Sequence, residues 1–342
     1  VKRAIYRLKF DEHFFLQLLM ALKKESNCRV GTKPLDKTGP HVKLIYDQLN
    51  FELTDAQNRV LKEIRTDLGK PITMNRLLQG DVGSGKTIVA VLAAAIAIGN
   101  NVQIAVMAPT EILVRQHYES FKKFSEIGKI TCAILVGNTK EGERKKVIDA
   151  LKTGRIDLIV GTHALIQKDI EFKNLGLVII DEQHRFGVAQ RGDLVEKGLN
   201  PHFLAMTATP IPRTLAITYH GDMDLSIIDE LPKHRKPVIT KKIGPERLKN
   251  VYNFMNNEVS KGRQCMIVYP LVEETEKSDL TAAVEAYETL SRTAFTDVNV
   301  GLIHGRMKKE EKDNIMNEFS DNRIKILVST TVIEVGIDVP NA

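Results

Sequence analysis

The sequence of 342 residues has no tryptophan and only three cysteines, and aromatic residues make up 6% of it. Cys28, Cys132 and Cys265 lie far apart and are odd in number, so they supply neither a disulfide framework nor a metal-binding spacing. This favours a reducing compartment, and we expect the cytoplasm. The scarcity of aromatic rings argues against a platform for stacked bases and favours contacts to a sugar-phosphate backbone.

Long hydrophobic runs are also missing. The most apolar stretch, Ile88–Gly99, is much shorter than the roughly 20 residues that a bilayer-spanning helix needs, so we expect no membrane partner. The 49 basic residues exceed the 43 acidic ones by six, a mild bias that fits a polyanionic partner without requiring one. Because the chain starts with Val1 and stops at Ala342 without a terminal signal, we expect it to be part of a longer protein.

Short aliphatic runs alternate with helical patterns along most of the chain, which is typical of parallel sheets covered by helices on both faces. The predicted strands are residues 76–79, 103–109, 131–137, 157–162, 177–181, 203–209, 264–270, 299–305 and 325–330. A stretch rich in proline and lysine at 231–242 separates the last three strands from the others. The fold class is therefore α/β, with two domains.

The first 50 residues differ from the rest. Phe10, Phe14, Leu18 and Leu22 fall on one helical stripe, which predicts an amphipathic helix, and glycine and proline at 31–40 end that pattern. We predict three segments: a helical linker at 1–50, a first domain at 51–232 and a second domain at 238–342.

The segment "GDVGSGKT", Gly80–Thr87, matches the phosphate-binding loop G-x-x-x-x-G-K-[ST] between a predicted strand and a predicted helix. Glycines let backbone N–H groups surround phosphate oxygens, and the helix N-terminus adds partial positive charge. Lys86 would pair with the β- and γ-phosphates, and the Thr87 hydroxyl would bind Mg²⁺. The alternative is a glycine-rich turn before a core helix.

The segment "VIIDEQH" ends an apolar strand in two adjacent carboxylates. In a phosphate-loop protein, such an aspartate holds Mg²⁺ beside the loop, a role for Asp181. Glu182 would then act as the general base that activates the attacking water. Solvated acids at a strand end are the alternative, and it weakens beside Gly80–Thr87.

Other polar residues also follow apolar strands, and ligands gather at the carboxyl edge of parallel sheets. These residues could bind phosphates there or contact Gln183 and His184; they are Thr110, Thr162, His163, Thr207 and Thr209. Helix capping or turn formation is the competing interpretation for each of them.

Two further sites are suggested more weakly. Gln57 lies on the first turn of a helix that Thr54 would cap, and its amide could contact an adenine edge; an exposed helical glutamine is the alternative. Thr330 and Thr331 follow a buried strand of the second domain and could touch a ligand, although from spacing alone a capped helix start is the better explanation.

These motifs together resemble superfamily 2 helicases, which have two RecA-like domains. Several segments resemble the RecG family of branch-migrating DNA helicases in particular. They are "LTDAQ", "RLLQGDVGSGKT", "MAPTEILVRQH", "IIDEQHRFGVAQR", "MTATPIPRTLA" and "HGRM". The resemblance implies two RecA-like P-loop domains, the second incomplete, preceded by a helical linker after a wedge domain that is not present here.

The resemblance also implies roles for residues that match the family's motifs. Gly80, Gly83, Ser84, Gly85, Lys86 and Thr87 would bind the phosphates of ATP and Mg²⁺, with Lys86, Asp181 and Glu182 as the catalytic set and Gln57 at the adenine. Gln183, His184, Thr207 and Thr209 would couple hydrolysis to movement. Pro109, Thr110, Gly161, Thr162, Thr330 and Thr331 would line the DNA track.

The implied activity is unwinding or branch migration of stalled forks and Holliday junctions in DNA repair and recombination. The expected partners are branched or duplex DNA and a single-stranded-DNA-binding protein, with the chain acting as a monomer. The family's arginine motif after Ala342 is missing, so we expect weak hydrolysis by this portion. A transcription-repair coupling translocase, which shares "HRFGV" and "TATPIPRTL", and a non-hydrolysing nucleotide-switched DNA-binding module are the alternatives.

Overall fold

A computed structural model describes residues 2–27, 32–209, 223–232, 238–269, 276–330, 339 and 341–342. The chain divides into two compact units, Val1–Arg235 and Lys236–Ala342. Each unit is built on its own parallel sheet. The α/β class and the two sheets predicted from the alternating apolar runs are therefore confirmed.

The first sheet has seven strands in the order β3-β4-β2-β5-β6-β1-β7, and every adjacent pair is parallel. Apolar residues that are buried on both faces fill the central strands, as expected when helices cover a parallel sheet on both sides. The strands are β1 Asn75–Gly80, β2 Gln103–Met107, β3 Cys132–Leu135, β4 Leu158–Gly161, β5 Leu175–Asp181, β6 His202–Thr207 and β7 Asp224–Ile228.

Strand β7 was not predicted, because its residues "DLSII" alternate with polar ones and lie beside a polar stretch. Among the described strands it pairs with β1 alone, at the edge of the sheet, and an edge strand needs no continuous apolar run. The first sheet therefore extends one strand further along the sequence than the apolar pattern indicates.

The helices of the first unit owe their ends to local sequence. Thr54 caps α3 and forms a capping box with Gln57, while α4 is almost entirely buried alanine, isoleucine and valine and stops at Gly99. The helices are α1 Lys2–Asn27, α2 Gly39–Asp47, α3 Asp55–Leu68, α4 Lys86–Ile98, α5 Glu111–Gly128, α6 Glu141–Thr153 and α7 Val188–Val195.

The predicted amino-terminal helix is present as α1, but its apolar stripe is exposed. Phe10, Phe14, Leu18 and Leu22 are each at least 44% accessible to solvent. Phe10 and Phe14 stack on each other with ring centroids 6.0 Å apart, so the stripe contacts itself.

Residues 32–48, which we call the strap, bind the carboxyl ends of three helices. The N–H of Leu35 donates to the carbonyl of Leu68 at the end of α3 (2.7 Å). The amide of Asn100, just past α4, exchanges hydrogen bonds with both backbone groups of Lys37 (3.1 and 2.8 Å). A ring nitrogen of His41 lies 2.6 Å from the carbonyl oxygen of Gly128, which ends α5. The strap therefore packs as part of the first unit.

The second unit contains a sheet of three described strands in the order β8-β10-β9, all parallel. Met255, Leu290, Phe295 and Ile326 form its buried core. The strands are β8 Cys265–Tyr269, β9 Val300–Ile303 and β10 Ile326–Thr330, and the helices are α8 Leu248–Ser260, α9 Glu276–Thr293 and α10 Lys309–Ser320.

Candidate functional site: the carboxyl edge of the first sheet

The segment Gly80–Thr87 forms a tight loop between β1 and α4. Gly83 and Gly85 have φ of 77° and 86°, values that residues other than glycine rarely adopt. The Lys86 ammonium donates hydrogen bonds to the carbonyl oxygens of Gly80 (2.8 Å) and Asp81 (3.1 Å), so the lysine is folded over the loop. The predicted strand–loop–helix context of a phosphate-binding loop is present.

The loop leaves no room for larger residues at two of its positions. A Cβ atom on Gly80 would lie 2.5 Å from Ser84 Oγ, and one on Gly85 would overlap the side-chain nitrogen of Gln57. Ser84 is 0% exposed, and its hydroxyl has no hydrogen-bond partner among the described residues. A buried hydroxyl without a partner inside a glycine-rich loop fits a loop that receives a polar ligand.

Gln57 ties this loop to helix α3. Its Oε1 accepts a hydrogen bond from the Thr54 N–H (3.0 Å), and its Nε2 donates to the Ser84 carbonyl (2.8 Å). The side chain is buried, with 2% exposure of the residue. One N–H and one lone pair of the amide remain for another contact. The adenine contact implied by the family resemblance stays a prediction, and holding the loop is an additional role.

Asp181 lies at the same edge of the sheet as the loop. It is in register with Met206 of β6, and Met206 is in register with Leu78 of β1, two residues before Gly80. Strands in a sheet are about 4.8 Å apart, so the ends of β5 and β1 are about 10 Å apart across β6. The positive charge of Lys86 acts on the carboxylates of both Asp181 and Glu182. The phosphate loop and the two carboxylates therefore lie at the same edge of the sheet.

The Asp181 carboxylate is held by two donors. His117 Nε2 lies 2.7 Å from its Oδ2, and the Glu182 N–H donates to its Oδ1 (3.0 Å). Burial alone would raise the pKa of Asp181, but the hydrogen bond and charge of His117 and the charge of Lys86 outweigh it and lower that pKa below its ordinary value. Asp181 is therefore an anion at neutral pH, as a ligand of a divalent cation must be.

Glu182 has the opposite environment. It is 4% exposed, and burial together with the neighbouring Asp181 charge raises the pKa of its carboxyl group. Its backbone is in the left-handed region, with φ of 49° and ψ of 53°, a conformation that costs about 1–3 kcal/mol in a residue other than glycine. The Glu182 carboxylate is buried, has a raised pKa and lies beside Asp181, and such a group is suited to accept a proton from water.

The residues predicted to couple hydrolysis to movement gather around Glu182. The N–H of Ala208, between Thr207 and Thr209, donates to Glu182 Oε1 (3.3 Å), and the hydroxyls of Thr207 and Thr209 are 2.7 Å apart. His184 Nδ1 is 3.3 Å from Glu182 Oε2, and burial lowers the pKa of His184. Gln183 is buried, and its Oε1 has no partner among the described residues.

The residues predicted to line a DNA track in the first unit follow two neighbouring strands. Met107 of β2 is in register with Gly161 of β4, so Pro109, Thr110 and Thr162 lie at the same edge. Thr110 is partly exposed and caps α5, accepting from Leu113 N–H (3.4 Å). Thr162 is 1% exposed, and its hydroxyl accepts from the Ala164 N–H (3.4 Å), so its side chain acts as a cap here.

In the second unit, Thr330 ends β10 and is buried, and its hydroxyl has no partner in the described part of the chain. Thr331 lies outside the described residues. The DNA contacts expected at these two positions stay predictions.

His117 was missed by the sequence interpretation, although a signal was present. Leu113, His117 and Phe121 are spaced four residues apart on the buried face of α5, where a histidine interrupts an apolar stripe. Such a residue needs a polar partner, but nothing local could show that the partner is Asp181, 64 positions further along the chain.

The donor set fits Mg²⁺ bound together with a triphosphate. Mg²⁺ is usually held by one or two carboxylates plus phosphate and water oxygens. Asp181 would supply one carboxylate, and Thr87 would add a hydroxyl. The residues that the structure describes contain no cluster of three histidine, cysteine or acidic side chains that would bind a metal by themselves. None of the helices in the described ranges combines the length and hydropathy of a membrane span.

Comparisons with known proteins agree with this site. Residues 54–217 match the DEAD/DEAH box helicase family, and residues 246–342 match the helicase conserved C-terminal domain. The chain is 49% identical over 346 residues to the ATP-dependent DNA helicase RecG of Thermotoga maritima and 51% identical over 346 residues to that of Aquifex aeolicus. Both alignments cover 100% of this chain but only 44% and 43% of those proteins. The chain thus spans less than half the length of these relatives.

A solved structure of RecG bound to a three-way DNA junction superposes with a TM-score of 0.85 at 45% identity, covering all of this chain and 45% of that one. Fold and site together define a superfamily 2 helicase core of two RecA-like domains. Within that superfamily, the chain belongs to the RecG family.

Proposed function

We propose that the protein hydrolyses ATP and uses the energy to unwind or branch-migrate branched DNA, as at stalled replication forks and Holliday junctions. The observation that carries this proposal is the convergence of the Lys86 loop with Asp181 and Glu182 at one edge of the first sheet. The relatives named RecG are ATP-dependent DNA helicases, and the similar solved structure is bound to a three-way DNA junction.

The chain's own residues divide the work of hydrolysis. Lys86 would leave the carbonyls of Gly80 and Asp81 and pair with the β- and γ-phosphates. Asp181 and Thr87 would hold Mg²⁺, which when bound neutralises phosphate charge and orients the phosphates. Glu182, with its raised pKa, would accept a proton from the attacking water.

The link from Glu182 to strand β6 supplies a route for coupling. Because the Ala208 N–H donates to Glu182, a change in the charge or position of Glu182 alters the segment that contains Thr207 and Thr209. We propose that this segment, with Gln183 and His184, converts hydrolysis into movement. DNA would contact the protein at Pro109, Thr110, Gly161, Thr162, Thr330 and Thr331.

The monomeric state, the bacterial cytoplasm as location and a single-stranded-DNA-binding protein as partner are proposals that the family resemblance alone supports. Light scattering of the purified protein with and without a three-way junction tests the first. A dimer at micromolar concentration would contradict it.

The central test is ATP hydrolysis by the purified protein with and without a three-way DNA junction, together with ATP binding. We expect hydrolysis that is weak, as the family resemblance implies, and that the junction stimulates, with a further loss of about 100-fold or more in Lys86→Ala and Glu182→Gln. Lys145→Gln, which removes an exposed charge on α6, is the matched control and should keep the wild-type rate. Binding of ATP with a wild-type rate no higher than that of Glu182→Gln would replace a motor by a nucleotide-controlled switch.

A further inference from the structure

His117 and Asp181 form a contact that lowers the pKa of the aspartate and that also bears on the geometry of its carboxylate. His117 lies in the middle of α5 and is 5% exposed, between Leu113 and Phe121 on the buried face of the helix. Its Nε2 is 2.7 Å from Asp181 Oδ2, a short, direct hydrogen bond. Burying an imidazole costs free energy that an apolar side chain in the same stripe would not, so the contact needs an explanation beyond packing.

The contact determines how the Asp181 carboxylate is oriented. Oδ2 is held by His117 from α5, and Oδ1 is held by the N–H of Glu182 from the chain itself. Two donors from different directions fix both the position and the plane of the carboxylate. A carboxylate offers about four lone-pair positions, so each oxygen keeps one for another ligand.

This orientation matters for magnesium more than for most cations. Mg²⁺ demands nearly ideal octahedral geometry and gives up its water reluctantly, so a ligand that rotates freely binds it poorly. Residues that hold metal ligands in place typically change metal affinity by about 10–100-fold when they are removed.

We infer that His117 is a positioning residue for Mg²⁺: its hydrogen bond to Oδ2 holds the Asp181 carboxylate so that the remaining lone pairs face the metal bound with the nucleotide. This inference rests on the proposed function, because it assumes that Asp181 takes part in Mg²⁺–nucleotide binding. Helix α5 would then contribute two residues: Thr110, which caps its start at the expected DNA track, and His117, which holds the metal ligand Asp181.

The test uses the whole chain and a non-hydrolysable, fluorescent ATP analogue. The measured quantity is the Mg²⁺ concentration that gives half of the metal-dependent increase in analogue binding, with binding in EDTA recorded separately. His117→Leu removes the donor, His117→Asn keeps a polar group that is too short to reach Asp181, and His117→Gln keeps a donor of similar reach.

We expect the half-saturating Mg²⁺ concentration to rise about 10–100-fold in His117→Leu and His117→Asn. It should rise by no more than about threefold in His117→Gln, and binding in EDTA should stay at the wild-type level in all three variants. In hydrolysis assays, saturating Mg²⁺ should restore most of kcat to the Leu and Asn variants. Phe121→Leu, on the same face of α5 one turn further along, is the control for loss of packing and should leave the Mg²⁺ requirement unchanged.

If His117→Asn and His117→Leu bind the analogue at the wild-type Mg²⁺ concentration, His117 is a structural residue and the inference is wrong. A rise of the same size in Phe121→Leu would also overturn it. Failure of the wild-type protein to show any metal-dependent nucleotide binding would instead contradict the proposed function, and Asp181→Asn identifies that case because it would then match wild type.

Discussion

The side-chain nitrogen of Gln57 donates a hydrogen bond to the backbone carbonyl oxygen of Ser84, 2.8 Å away, so a residue at the start of α3 fixes the conformation of the phosphate loop. The same amide accepts a hydrogen bond from Thr54 in the cap of that helix. The capping of a helix and the shape of a ligand loop therefore depend on a single side chain.

Replacing Gln57 with alanine is expected to weaken binding of every nucleoside triphosphate, because the loop loses its attachment to α3. Loss of one buried hydrogen bond corresponds to about tenfold in affinity. The measurement is the dissociation constant for ATP and for GTP, with Asn58→Ala, at the partly exposed neighbouring position, as control. A larger loss for ATP than for GTP would support the adenine contact as well. Unchanged affinity for both nucleotides would refute the idea that Gln57 holds the phosphate loop in its binding conformation.

Glu182→Gln is expected to lower kcat by about 100-fold or more while nucleotide binding persists, because the general base is removed. It should also stabilise the fold at neutral pH. The pKa of Glu182 is raised by burial and by Asp181, so its ionised form costs stability above that pKa, and the cost disappears as the pH falls through it.

The stability difference between Glu182→Gln and wild type should therefore be largest near neutral pH and shrink at acid pH, as measured by chemical unfolding across that range. Glu143→Gln, on the exposed face of α6, should change neither kcat nor stability. A variant that is less stable than wild type at pH 7 would show that the carboxylate contributes to the fold through contacts that outweigh its burial.

Buried His202 is expected to make the first unit less stable in mild acid. Burial lowers the pKa of His202 from 6.5 to about 4. Between these two values the unfolded chain binds a proton that the folded chain does not, so the free energy of unfolding falls as the pH is lowered through this range, by about 3 kcal/mol in total.

His202→Asn removes the titration but keeps an acceptor for the Met74 N–H, which donates to Nδ1 of His202 at 3.0 Å. We expect its unfolding free energy to depend less steeply on pH between 6.5 and 4 than that of wild type. Parallel curves for the two proteins over that interval would rule out this account.

Gly39→Ala tests how the strap is seated. Gly39 has φ of 63°, and a Cβ atom there would lie 2.8 Å from the Cα of Gly99, a backbone atom that cannot easily move away. We expect a loss of about 1–3 kcal/mol in the free energy of unfolding. Gly154→Ala is the matched control, since φ there is also positive at 74° but the new methyl group would meet only the flexible side chain of Lys173. Equal losses in the two variants would show that the contact with Gly99 contributes nothing.

The sequence predicted the central strands and the nucleotide loop because each is a local pattern. Strands buried on both faces are continuous apolar runs, and Gly80–Thr87 needs only glycines, a lysine and a threonine at fixed spacing. Strand β7 escaped because its position at the edge allows polar residues. The hydrogen bond from Gln57 to Ser84 and the contact of His117 with Asp181 could not be predicted, because their partners are 27 and 64 residues apart in the chain. Only the packing of helices α3 and α5 within the first unit brings them together.

The strap binds one end of the first unit, which we call the rear, and the candidate site lies at the other end, the front. Leu35, Lys37 and His41 fasten the rear ends of α3, α4 and α5, whose front ends carry Gln57, Lys86 and Thr110. The hydrogen bonds of residues 32–48 therefore lie at the ends of these helices that are remote from the nucleotide loop and from Thr110. In this unit the contacts that anchor residues 32–48 and the residues of the candidate site therefore lie at opposite ends of the same three helices.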